Sequence, residues 1–268
     1  MIIDIQLSPA VESWPALRDG VLRAEAAGFD TAWVFDHFAG DVLRGTTMIE
    51  CFTLLGALAS ATTRIGLGSL VINVANRNPG VMALSAASVQ AVSCGRFTLG
   101  LGAGAAPNTA WSAEHGLLGL ELEPTMAKRH QRLAHALDEI DRWWAVDRSP
   151  ELAAFPGASP RPPVILGVNS VPLATMAGAR CDGFNVRSSH PDLAALIDAA
   201  RVARAQRIQA GDAANLAPFD VSVWAEWDDA LADPAHPDRR WWQQLGVNRL
   251  VMVWLIPHDP AALDRFLR

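Results

Sequence analysis

Eight short apolar runs alternate with segments of helical spacing along the whole chain, and this alternation limits the possible folds more than any other feature. In a βαβ rhythm each helix carries the chain back, so that consecutive strands lie parallel. Eight repeats without a break in composition favour a closed (β/α)8 barrel, or TIM barrel, over an open doubly wound sheet, which usually has fewer units. We therefore predict an α/β protein in which residues 1–268 form one barrel domain.

The bounds of the elements follow from the period of the apolar residues. The apolar runs predict strands at Ile2–Leu7, Thr31–Phe35, Ile65–Val74, Phe97–Leu101, Val164–Val168, Gly183–Val186, Val221–Ala225 and Leu250–Leu255. The segments between them predict helices at Pro15–Ala27, Ile49–Ala61, Pro79–Val92, Thr125–Trp144, Val171–Ala179, Asp192–Gln209, Arg239–Leu245 and Ala261–Leu267. The connection Ala105–Pro124 is unusually long, and long loops that follow strands build the walls of barrel active sites.

Charge and composition exclude several classes of partner. The net charge is −6 and no run of Lys or Arg occurs, so attraction to nucleic acid or to an anionic membrane is weak. No apolar stretch reaches the roughly 18 residues of a membrane span, and the first residues lack the basic region of an export signal. Cys51, Cys94 and Cys181 are odd in number and far apart, which is typical of a reducing compartment. We expect a cytoplasmic protein that acts on a small-molecule substrate.

Asp36 and His37 follow the second predicted strand, at the end of the barrel where such enzymes keep their catalytic groups. Neighbouring side chains of an extended chain point to opposite sides, so the two residues should differ in role. One would face the cavity while the other braces a loop. An imidazole at this position suits acid–base catalysis, and it equally suits a hydrogen bond within a loop. The other histidines, His115 among them, are expected in loops or on helix surfaces.

A glycine-rich segment follows the fourth predicted strand. Gly102-Ala103-Gly104 removes side chains from the strand end, so that a flat ring or a phosphate can approach the backbone. The spacing does not match the dinucleotide-binding fingerprint, because the segment does not open a helix at once. A tight turn of the barrel explains the glycines equally well.

Asn169 and Ser170 stand where the fifth predicted strand passes into a helix. Free amides and the dipole at a helix N-terminus attract anions, so a cofactor phosphate could bind here. Ordinary capping of the helix by either side chain is the alternative.

Several stretches together resemble the bacterial luciferase-like superfamily, in the branch that uses the deazaflavin coenzyme F420. The resemblance rests on GFDTAWVFDHF, on ECFTLLGALASATTRIGLGSLVINVANRNPGVMALSAASVQAVSCGRFTLGLGAG, on PPVILGVNSVPLATMAGARCDGFN and on LGVNRLVMVWLIPHDPAALDRF. These stretches keep the order of the family and cover nearly the whole chain. The resemblance implies a (β/α)8 barrel with the coenzyme in its mouth.

The resemblance also implies roles for individual residues. His37 would supply a proton, or polar support, beside the carbon that carries the hydride, with Asp36 next to it. A bulge formed by Ser69, Leu70 and Val71 would back the ring, with a non-proline cis peptide at about Ser69–Leu70. Backbone groups of Gly102, Ala103 and Gly104 and of Asn169 and Ser170 would receive the phosphate-bearing tail. Relatives generally pair through helices of the second and third βα units, so a homodimer is expected.

Three functions follow from the resemblance and from departures within it. The first is an F420-dependent oxidoreductase that transfers a hydride between the deazaflavin and a small organic substrate. The second is an FMN-dependent monooxygenase, although flavin-using relatives often carry an Arg where this chain has Ala105 and Ala106. Many deazaflavin members carry an aromatic or acidic residue at these positions. Since this chain has only alanines there, its active site could be incomplete, and the third function is a degenerate barrel that binds a cofactor without turnover.

Overall fold

Parallel strands close into a barrel in the computed structural model, which describes residues 1–10, 13–211, 216–254 and 263. The strands are β1 (Ile2–Leu7), β2 (Thr31–Val34), β3 (Gly66–Ser69), β4 (Ile72–Asn73), β5 (Phe97–Gly102), β6 (Val164–Val168), β7 (Gly183–Arg187), β8 (Asp220–Glu226) and β9 (Arg249–Trp254). Their order is β3-β2-β1-β9-β8-β7-β6-β5-β4, and pairing of β3 with β5 closes the ring. The predicted (β/α)8 barrel is confirmed.

The third strand of the barrel is split. The sequence predicts one strand over Ile65–Val74, but the structure has β3 and β4 with Leu70 and Val71 between them. β3 pairs with β2 and with the start of β5, whereas β4 pairs with the end of β5 alone. The peptide bond between Leu70 and Val71 is cis, one residue later than the expected position. The interruption turns these two residues towards the mouth of the barrel.

Helices surround the strands. In the described part of the chain they are α1 (Trp14–Ala27), α2 (Cys51–Ala61), α3 (Pro79–Val92), α4 (Ala113–Leu117), α5 (Met126–Trp144), α6 (Val171–Arg180), α7 (Leu193–Gln209) and α8 (Pro237–Gln244). The short helix α4 was not expected within the long connection after β5. The helix predicted at Ala261–Leu267 lies outside the described residues, apart from Leu263.

Local chemistry explains where several helices begin and end. Gly28 ends α1 in the left-handed conformation, with φ of 86° and amide bonds back to the last turn. Asn78 begins α3, because its side chain accepts from the amides of Gly80 and Val81 while Pro79 occupies the first turn. Helix α5 buries one face only, since its buried residues recur three and four positions apart. These helices cover the apolar outer face of the barrel.

A charged cluster lies inside the barrel at the amino ends of the strands. Asp4 of β1 is fully buried and accepts hydrogen bonds from the indole of Trp33 at 2.7 Å and from Arg249 at 2.8 and 2.9 Å. Burial raises the pKa of Asp4 to about 7, although the charge of Arg249 opposes this rise. The cluster is remote from the mouth, and it joins β1, β2 and β9.

Candidate active site

A cavity of about 570 Å³ opens at the carboxyl ends of the strands. Its size suits a small molecule or a cofactor ring. The ends of β2, β5, β6 and β7, the break between β3 and β4, and the first turn of α5 form its wall. The residues predicted for the site that line this cavity are Asp36, His37, Leu70, Val71, Gly102, Ala103, Gly104 and Asn169.

The two predicted serines are not among the lining residues. Ser69 is buried, and its hydroxyl donates to the Gly100 carbonyl and accepts from the Gly100 amide, both at 3.0 Å, so it ties β3 to β5. Ser170 precedes α6, but its side chain makes no capping hydrogen bond. Its buried hydroxyl has no partner among the described residues. Ordinary capping by Ser170 therefore does not explain this position.

The side chain of Asp36 points into the protein behind the cavity wall. Its Oδ2 accepts from Arg77 at 2.7 Å, from the Asn73 amide at 3.0 Å and from Asn76 at 3.1 Å, and its Oδ1 accepts from Arg77 at 2.6 Å. Arg77 also contacts Glu50 at the start of α2. Four donated hydrogen bonds hold this carboxylate in place, and it braces the loop that follows β4.

His37 has a different partner. Its Nδ1 lies 2.8 Å from Oε1 of Glu114, a buried residue of α4. The other carboxylate oxygen, Oε2, accepts from the backbone amides of Phe38 and Ala39 at 2.7 and 2.8 Å. The imidazole ring lies 5.7 Å from the indole of Trp111, with 35° between the planes. Asp36 and His37 therefore belong to separate networks, as the extended backbone predicts.

Burial and hydrogen bonding compete at Glu114. Burial alone would raise its pKa, but hydrogen bonds from His37, Ala39 and Phe38 outweigh burial and lower the pKa below its ordinary value. Glu114 is therefore an ionised carboxylate at neutral pH. An ionised carboxylate can only accept hydrogen bonds, so the three atoms facing it are donors.

His115, expected in a loop or on a helix surface, is buried instead. Its Nε2 lies 2.8 Å from Oδ1 of Asn76 and 3.1 Å from Nδ2 of Asn73. Asn73 lines the cavity and Asn76 contacts Asp36, so His115 links α4 to the brace around Asp36. Sequence reasoning missed Arg77, Glu114 and His115 because their partners lie far away along the chain.

Small residues form part of the cavity wall. A Cβ at position 102 would lie 2.5 Å from Cγ2 of Val71, and one at Gly167 would lie 3.1 Å from Cγ1 of the same side chain. Gly104 has φ of 82°, which favours glycine. Together with Ala105 and Ala106, these positions leave a wall of backbone and methyl groups. Such a wall leaves room for a flat ring. A larger side chain at one of these positions would reduce that room, directly or by pushing Val71 aside.

Two arginines and a histidine lie at the edge of the same cavity. Arg129 and His130, in the first turns of α5, line it together with Arg187 at the end of β7. Arg129 donates to the carbonyls of Glu123 and Pro124. Burial and the charge of Arg129 lower the pKa of His130. This edge suits an anionic group better than the small-residue wall does.

Among the described residues, neither a metal-binding cluster nor a membrane-spanning helix occurs. Within residues 1–10, 13–211, 216–254 and 263, no group of three His, Cys, Asp or Glu side chains could hold a metal ion. None of the helices described above is both long and apolar enough to cross a membrane.

Two enzymes are similar to this chain in sequence. An F420-dependent glucose-6-phosphate dehydrogenase of Microbacterium testaceum is 28% identical over 266 residues, which cover 93% of this chain and 74% of the relative. A 5,10-methylenetetrahydromethanopterin reductase of Methanolobus tindarius is 28% identical over 173 residues, covering 63% of this chain and 48% of the relative. The chain thus matches about three quarters of the first relative and about half of the second.

Solved structures share the fold. An F420-dependent secondary alcohol dehydrogenase, in complex with an F420-acetone adduct, superposes with a TM-score of 0.77 at 17% identity. The alignment covers 99% of this chain and 97% of that structure. At this identity the likeness shows the fold alone. The model of the luciferase-like monooxygenase family matches residues 3–265, and the chain therefore belongs to this family, as its resemblance predicts.

Proposed function

We propose that the protein is an F420-dependent oxidoreductase, which transfers a hydride between the deazaflavin and a small organic substrate. The observation that carries the proposal is a single cavity in which His37 and the small-residue wall of Gly102 to Ala106 line the same space. The F420 dependence of named relatives in the family supports the choice of coenzyme.

The residues present fit this coenzyme. Leu70 and Val71 would lie behind the ring, and the backbone of Gly102, Ala103 and Gly104 would lie along its edge. Asn169, which lines the cavity just before α6, would lie beside the phosphate of the tail, and the buried, unpartnered hydroxyl of Ser170 would have to turn towards the cavity to join it. When bound, the coenzyme supplies the hydride chemistry.

His37 is the residue that we assign to proton exchange with the substrate. It lines the cavity, and Glu114 occupies its Nδ1. Asp36 has a supporting role in this proposal, because four hydrogen bonds from Asn73, Asn76 and Arg77 already engage its carboxylate. Asp36 thus acts as a positioning residue, which holds the turn on which His37 stands.

The mouth favours a substrate with an apolar part. Trp111 and Met126 line the cavity and remain 52% and 51% exposed. Exposed apolar side chains in a cleft are typical of a surface that a ligand covers. The substrate would therefore pack an apolar group near the indole that flanks His37.

Parallel titrations with F420 and with FMN test the proposal. We expect F420 to bind more tightly than FMN and its fluorescence to be quenched. His37→Ala should keep F420 binding and lose turnover, because the ring is held mainly by other residues. Tighter binding of FMN would favour the monooxygenase, and failure to bind F420 would overturn the proposal. If His37→Ala changes no activity while binding is intact, the barrel binds its cofactor without turnover.

We also propose a homodimer that pairs through α2 and α3, with Val81 and Val92 as exposed apolar residues of α3. Light scattering after gel filtration tests this, and Val81→Glu with Val92→Glu should give a monomer. A wild-type monomer would refute it.

The location proposed for the protein is the cytoplasm, and its three cysteines, which form no disulfide in the structure, support a reducing compartment.

A further inference from the structure

We propose that Glu114 is a positioning residue that fixes the tautomer of His37, so that Nε2 is the nitrogen that exchanges a proton with the substrate. This inference rests on the proposed function and deepens it. The tautomer of His37 is a property of the protein without coenzyme, however, so the inference can be tested in that form.

Three contacts engage both carboxylate oxygens of Glu114 and fix the orientation of the carboxylate. Oε1 meets Nδ1 of His37 at 2.8 Å, and Oε2 meets the amides of Phe38 and Ala39 at 2.7 and 2.8 Å. Both amides are donors and can never accept. The carboxylate is buried and ionised, so Nδ1 must carry a hydrogen for the third contact to be favourable. A neutral His37 then has its lone pair on Nε2.

The tautomer decides what His37 can do in the cavity. In the part of the chain that the structure describes, only Glu114 lies within hydrogen-bonding distance of the ring. With Nδ1 engaged, Nε2 is the atom left for a molecule in the cavity. When a hydroxyl substrate is oxidised to a carbonyl, its O–H bond breaks and the proton passes to Nε2. The electron pair of that bond forms the second bond between oxygen and carbon, while the hydride of the neighbouring C–H bond would pass to the oxidised deazaflavin. In the reverse direction Nε2 returns the proton. The carboxylate holds the hydrogen bond to Nδ1 in both directions.

Other charged groups surround His37 but have partners of their own. Asp36 is bound by Arg77, which also contacts Glu50. His115, next to Glu114, faces Asn73 and Asn76. Arg129, His130 and Arg187 line the same cavity from α5 and β7. Of these groups, Glu114 alone contacts the ring, so we expect its charge to select the tautomer of His37.

A single substitution should reverse the tautomer. Glu114→Gln keeps the size and shape of the side chain but has only one acceptor oxygen. That oxygen is needed by the amides of Phe38 and Ala39, so the new NH₂ group turns towards Nδ1. Nδ1 must then accept, the hydrogen moves to Nε2, and the lone pair needed in the cavity is lost. Glu121→Gln is the matched control, because Glu121 is exposed on the same connection.

The first measurement is nitrogen NMR of the histidine rings in the protein without coenzyme. We expect the wild type and Glu121→Gln to show hydrogen on Nδ1 of His37, and Glu114→Gln to show it on Nε2. Hydrogen on Nε2 in the wild type would overturn the inference, and this measurement needs no variant to fold. Unchanged ring shifts in a folded Glu114→Gln protein would also overturn it.

The second measurement is turnover with F420. General acid–base groups contribute about 100-fold or more, so Glu114→Gln should lower kcat at least that much while KM and F420 affinity stay within about twofold. Glu114→Asp keeps the charge and should restore part of kcat. Equal losses in Glu114→Gln and Glu114→Asp would refute the role. If F420 does not bind the wild type, the proposed function fails, whereas the NMR result still decides the tautomer.

Discussion

Replacing Asp36 with Asn tests whether a buried ion pair holds the turn that carries His37. The carboxylate receives two hydrogen bonds from Arg77, at 2.7 and 2.6 Å. The side chains of Asp36 and Arg77 are only 0% and 12% exposed, so water cannot solvate the charge of Arg77 once its partner is neutral. Breaking a buried pair costs about 3–5 kcal/mol. Because Asn keeps one acceptor oxygen and Glu50 keeps its contact with Arg77, we expect a loss near the lower end, about 3 kcal/mol.

Urea unfolding followed by circular dichroism measures this loss. The matched control is Asp19→Asn, since Asp19 pairs with Arg18 on the surface with side chains 55% and 41% exposed. Exposed pairs contribute little, so the control should stay within about 0.5 kcal/mol of the wild type. If Asp36→Asn also stayed within about 0.5 kcal/mol, the ion pair would not be desolvated and the reasoning would fail.

Three further changes have defined outcomes. Gly102→Ala places a Cβ 2.5 Å from Val71 and should weaken F420 binding about tenfold, which is about 1.4 kcal/mol. The control is Gly56→Ala, where a Cβ meets nothing within 4 Å, and it should leave the F420 affinity unchanged. A fluorescence titration measures both affinities. Burial raises the pKa of Asp4 from 3.8 to about 7, so between these values the unfolded state releases a proton that the folded state keeps. The free energy of unfolding should fall by at most about 4 kcal/mol as pH rises through this range, and a parallel loss in Asp4→Asn would contradict the assignment. Iodoacetamide should label exposed Cys94 in the native protein and spare the two buried cysteines, as peptide mass spectrometry can check; equal labelling would contradict their burial.

The barrel could be predicted from the sequence because its signal is repeated. Each strand needs an apolar run and each helix an apolar stripe, so eight repeats identify the fold even where single bounds are wrong. The split at Leu70 and Val71 could not be predicted from the apolar pattern, which continues without a break from Ile65 to Val74. Only the family resemblance indicated a special backbone there.

The site was predictable only where residues follow strand ends. His37 and the glycines around position 102 stand at such ends, and the barrel brings them to one mouth. Glu114 lies 77 residues from His37 and within a connection that has no strong apolar period. Arg77 likewise reaches back 41 residues to Asp36. Contacts of this kind depend on how loops fold over one another, and periodicity contains no information about them.

The methyl groups of Val71 fill the space that side chains at 102 and 167 would need. Attempts to widen the substrate range by diversifying one wall position at a time should therefore yield mostly inactive protein. Joint libraries, in which position 71 shrinks while 102 or 167 grows, would preserve the total volume and have a route to new specificities.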